Sequence, residues 1–65
     1  MNNMKMKRIE LLVEDEQAWE LAQLCKRIGY STIRKLATDD GEADIMMAGV
    51  LMLQQSLAES GYSPR

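Results

Sequence analysis

The chain has 65 residues, 46% of them hydrophobic and 28% charged, with a formal net charge of −2. It has one cysteine, Cys25, and no histidine, which excludes an internal disulfide and leaves zinc only an improbable set of one thiol plus carboxylates. A chain this short buries only ~60% of its extended surface, so a single core without disulfide or metal supplies ~3–5 kcal/mol at most, and self-association is the remaining way to stabilise it.

Residues 1–65 are read as a single small domain, with residues 1–4 and 63–65 frayed. Ile9 to Val13 is interrupted by Glu10 and is too short for a signal-peptide core. No apolar run approaches the ~20 residues that span a bilayer. A lone reduced thiol fits a reducing compartment. The expectation is a cytoplasmic protein without membrane contact.

Lys5 to Val13 alternates, with Ile9, Leu11 and Val13 on one face and Arg8, Glu10 and Leu12 on the other. That pattern fits a β-strand or an ordered arm. A strand needs a neighbour for its N–H and C=O groups, and no second one follows. Two copies of the chain could pair theirs across a dimer. Asp15 is a candidate N-cap for a first helix over about 16–28. Ala18, Leu21, Leu24, Cys25 and Ile28 recur at spacings of three and four, Lys26 and Arg27 suit its last turn, and Gly29 ends it. Ser31 caps a second helix over about 32–37, with Ile33, Leu36 and Ala37 inward. Thr38-Asp39-Asp40-Gly41 breaks the pattern. Asp39 or Asp40 then caps a third helix over about 42–59, which Gly61 and Pro64 stop.

The third helix carries the most informative segment. Ile45 to Leu53 reads IMMAGVLML, nine residues without a polar side chain. Met46, Val50, Leu53 and Leu57 form the stripe expected to face the core. Ile45, Met47, Leu51 and Met52, with the small Ala48 and Gly49 between them, are left for a second chain. Burying four such large side chains stabilises a dimer by ~6–12 kcal/mol. The expected fold is therefore mainly α, an N-terminal strand or arm followed by three helices in a homodimer.

No catalytic, cofactor-binding or metal-binding residue is expected. Cys25 falls on an apolar stripe and has no histidine to act as a base. Asp39, Asp40, Glu42 and Asp44 lack the spacing of a calcium loop and read as caps and a solvated acidic patch. Arg34 can fold back on Asp39 or Asp40 and tie the second helix to the third. Trp19, Arg34, Asp39, Asp40 and Glu42 make a candidate surface for another protein.

Lys5, Lys7 and Arg8, followed by Ile9-Glu-Leu-Leu-Val13, a helix to Ile28 and Gly29-Tyr-Ser31, resemble the ribbon-helix-helix repressors. In that family, paired strands of a dimer enter the major groove. The resemblance implies a DNA-binding regulator contacting nucleic acid through Lys5, Lys7 and Arg8. A second pattern spans about Ile9 to Arg65: Gly29-Tyr-Ser31, Arg34-x-x-Ala37, Asp40-x-Glu42-Ala43 and Gly61-Tyr-x-Pro64-Arg65. It resembles a group of short proteins of no assigned function from proteobacteria, their phages and plasmids. That resemblance implies a protein of mobile DNA, where regulators and inhibitors of host defence, anti-CRISPR proteins among them, are frequent. The reading that follows is a non-enzymatic protein-interaction module, with a DNA-binding regulator or an accessory protein as alternatives.

Overall fold

The computed structural model describes residues 5–64. They form three helices: α1 (Asp15–Arg27), α2 (Tyr30–Leu36) and α3 (Asp40–Glu59). No strand occurs among the described residues. Residues 5–14 are an arm without helix or ladder. Residues 5–13 make no hydrogen bond to another described residue. Of the two forms expected over Lys5–Val13, a strand or an arm, the single chain holds the arm, because it offers no second extended segment to pair with.

Each helix end has a local cause. Glu14, not Asp15, is the N-cap of α1, and its N–H donates to Gln17 Oε1 at 3.0 Å. Asp15 and Glu16 occupy the first turn, and Lys26 and Arg27 the last, which complements the helix dipole. Gly29 does not end α1 in a left-handed cap. Its φ of −104° is extended, and it serves as the N-cap of α2. Ser31 therefore lies inside α2 rather than capping it. Asp39 caps α3, its Oδ1 accepting the Glu42 N–H at 2.8 Å. Glu42 Oε1 accepts the N–H of Thr38, the residue before the cap, at 2.8 Å, so a second backbone donor at this end of the helix is satisfied. Gly61 has φ 101°, a left-handed conformation that glycine adopts without strain, and the chain turns there.

Among the described residues, α1 and α2 each pack on α3 and not on one another. The first cluster joins Ala18, Ala22, Cys25 and Leu57, with Leu21, Val50, Leu53 and Tyr62 against it. The second joins Ile33, Ala37 and Ala43, with Ile28, Met47 and Val50 against it. Val50 belongs to both. Four of the seven buried residues are alanines, and no large side chain is fully buried. Small side chains bring the helices close but remove little apolar area from water.

Three stripes differ from expectation. At α2, Ile33 and Ala37 face the core but Leu36 is 69% exposed. Leu24 is 56% exposed, because Ala18, Ala22 and Cys25 hold the centre of the α1 contact. On α3, Met46 is exposed and Ala43 and Met47 take the inner positions instead. α2 docks on that flank of α3 and turns the buried stripe toward it. Met47, expected at a dimer interface, thus belongs to the core of its own chain. The expected fraying of residues 1–4 and of Arg65 lies outside the described residues; Pro64 is half-buried.

The chain is open for its size. Its radius of gyration is 13.2 Å, against ~11 Å for a compact domain of this length. It exposes 5683 Å², where a compact monomer of this mass exposes ~4,200 Å².

Candidate interaction surface

Thirteen large hydrophobic residues are exposed among the described residues, against seven buried hydrophobic ones. Eight of them fall into two groups, and the rest, Trp19, Leu24, Tyr30, Leu36 and Met46, are distributed over the three helices. The arm contributes Met6, Ile9, Leu11, Leu12 and Val13, and Leu12 is completely bare. The outer side of α3 contributes Ile45 at 75%, Leu51 at 51% and Met52 at 61%. Ala48 and Gly49 lie exposed between them. Arm and α3 bound one groove of about 720 Å³, with Gly49, Met52 and Ser56 on the helix side and Ile9, Leu11 and Leu12 on the arm side. Lys5 and Lys7 stand at this groove. Arg8 is exposed on the same arm.

Five of the six positions expected at the dimer interface are therefore on the surface: Ile45, Ala48, Gly49, Leu51 and Met52. Met47 is not. A Cβ built on Gly49 would meet nothing within 4 Å, so no neighbour in the same chain requires glycine there.

The second expected surface divides in two. Arg34, Asp39, Asp40 and Glu42 gather at the corner between α2 and α3. Arg34 Nε donates to Asp40 Oδ1 at 2.6 Å, and Nη1 donates to the Ala37 carbonyl at 3.3 Å. Asp39 and Glu42 are engaged as caps. These side chains close the corner, with Asp40 83% exposed in its ion pair. Trp19 is elsewhere, packed edge-to-face on Tyr62 with ring centroids 5.0 Å apart.

Tyr62 is the residue that sequence reasoning missed. Its hydroxyl donates to Asp15 Oδ1 at 2.6 Å across 47 residues of sequence, and it ties the C-terminal segment to the start of α1. The hydrogen bond, partial burial and the Asp15 charge together hold its phenol above the ordinary value of 10.0. The one local signal was a Tyr directly after the helix-stopping Gly61. Tyr30 is also held above its ordinary value, by burial first and then by the Asp44 and Asp40 carboxylates.

Cys25 is buried, and desolvation pushes its thiol upward. A thiol so placed stays protonated, packs as a small apolar group and is a poor nucleophile. The chemistry this surface supports is apolar contact. No helix among the described residues is long and apolar enough to cross a membrane.

Residues 1–65 match the model of a family of unknown function (DUF7706). No curated protein and no solved structure matches.

Proposed function

We propose that this chain, which belongs to the family of unknown function DUF7706, is a protein-interaction module that self-associates through α3 and the arm. The observation that carries this reading is the imbalance between outside and inside: thirteen large hydrophobics exposed around a core built mainly of alanine. A soluble monomer keeps its contiguous apolar patches small, and larger ones mark contact sites. Met46 and Met52 add flexible side chains that fit varied partner surfaces.

Self-association covers α3 and the arm. Leu24 and Leu36, 56% and 69% exposed on the other two helices, remain for another protein. The module's outward task is then to occupy a partner's surface as an inhibitor or regulator, as the resemblance to short proteins of mobile DNA implies. Photo-cross-linking in cells from position 24 or 36 tests this. One discrete heavier adduct, the same from both positions, is expected; adducts only between copies of the chain would overturn the outward role.

DNA binding through Lys5, Lys7 and Arg8 receives less support. The ribbon-helix-helix pattern needs a strand and one long second helix, whereas the described residues hold no strand and break between Leu36 and Asp40. A gel shift abolished by changing all three residues to Ala would favour that reading instead.

A further inference from the structure

We infer that two copies of the chain pack α3 against α3 in antiparallel fashion about Ala48 and Gly49, with each arm lying beside the start of its partner's α3. The inference rests on the reading of the chain as a self-associating module and specifies its geometry.

Successive residues of a helix turn by about 100°. Ile45, Ala48, Gly49, Met52 and Ser56 consequently share one face of α3, opposite the inward Val50 and Leu57. Leu51 lies off this face. No charged residue occurs between Asp44 and Glu59. The centre of the face is small, and its flanks, Ile45 and Met52, are large and exposed. A two-fold axis between Ala48 and Gly49 sets each Ile45 against the partner's Met52, with the small residues at the crossing. Such a surface is complementary to itself, as a two-fold interface requires.

Gly49 supports the same arrangement. In the middle of a helix glycine is ~1 kcal/mol less favourable than alanine. Its own chain leaves open space where a Cβ would stand. Close approach of a second backbone gives the missing Cβ a reason.

Charge selects the antiparallel direction. α3 begins with Asp40, Glu42 and Asp44. Lys5 and Lys7 line the groove whose helix side runs from Gly49 to Ser60, the later part of α3 and its end. Antiparallel packing sets the acidic start of one α3 near the partner's lysines, whereas parallel packing sets acid beside acid. The chain as a whole exposes 5683 Å², roughly 1,500 Å² beyond a compact monomer of its mass, so arm and helices together have surface to give up toward the ~800 Å² that a stable interface takes from each partner.

Cysteine cross-linking tests the direction. Ile45→Cys and Met52→Cys are solvent-facing changes, and the buried Cys25 of the unmodified chain serves as the control. Under mild oxidation, co-expressed Ile45→Cys and Met52→Cys chains, one carrying a size tag, should form the mixed disulfide as the main product. Each variant alone should cross-link little, because antiparallel packing separates like positions by about 10 Å along the axis, beyond disulfide reach. Efficient cross-linking of either variant with itself would overturn the antiparallel geometry. A dimer by sedimentation without any of these cross-links would remove α3 from the interface. A helical monomer by sedimentation would overturn the self-association reading itself.

Discussion

At the scale of single residues, Tyr62 holds the C-terminal segment to α1 through one hydrogen bond and one ring contact. Only the protonated phenol donates to Asp15, so its folded-state pKa lies above 10.0. On raising the pH the unfolded chain loses this proton first. The stabilisation is complete below about pH 10 and fades as the pH climbs through the raised folded value. In an absorbance titration of tyrosinate, both tyrosines should ionise above 10.0, and Tyr62→Phe should remove one of the two components. Tyr62→Ala should shift Trp19 emission to the red and lower the melting temperature, while Tyr62→Phe keeps the ring contact and the emission. Gly49 gives a second test. Its own chain has room for a side chain, so Gly49→Leu should weaken self-association at least roughly tenfold, the effect of about 1.4 kcal/mol, while its helicity by circular dichroism matches that of the unaltered chain at concentrations that keep both dimeric. Lost helicity without lost association would contradict its place at a crossing of two helices.

At the scale of elements, the corner between α2 and α3 is set by caps more than by charge. Asp39 satisfies a backbone donor at the N-terminus of α3, and Asp39→Ala should destabilise by ~1 kcal/mol. The Arg34–Asp40 pair is short at 2.6 Å but exposed, so Arg34→Ala should change stability by only ~0–1 kcal/mol. Thermal melts followed by circular dichroism should rank the two in that order; the reverse order would make the ion pair the main fastening of the corner. The cap and the ends of α3 were legible in the sequence, whereas α1 and α2 are capped by Glu14 and Gly29, ahead of the expected Asp15 and Ser31. Thr38-Asp-Asp-Gly41 announced the start of α3 and Gly61 its end, because both act through local backbone chemistry. Orientation about a helix axis was only partly legible. Periodicity assigned Leu24 and Met46 to the inside, but the docking of two separate helices on α3 gave those places to Ala22, Ala43 and Met47. The Trp19–Tyr62 contact was illegible, since no local rule joins residues from opposite ends of the chain. The same holds for the arm, whose alternation describes a strand only if something pairs with it.

At the scale of the whole molecule, the interior and the surface tell one story. Ile33 and Leu57 are the largest buried side chains besides Cys25 and four alanines, and two such burials stabilise by only ~3–6 kcal/mol. Against that stand an extended arm, a radius of gyration of 13.2 Å and a nine-residue apolar segment that α1 and α2 cover on one side only. Covering Ile45 and Met52 with a second chain adds apolar burial comparable to that of Ile33 and Leu57 within one copy. Met52→Asp should therefore both dissociate the assembly and lower helicity, because the isolated chain lacks the core to compensate. Leu51→Asp, off the self-complementary face, should leave the assembly intact. The most direct measurement is sedimentation equilibrium of the unaltered chain at micromolar concentration, with circular dichroism on the same sample. A particle of twice the 7.4 kDa chain mass, with helicity lost on dilution as the dimer dissociates, is the expected result. A 7.4 kDa monomer with full helicity would contradict it.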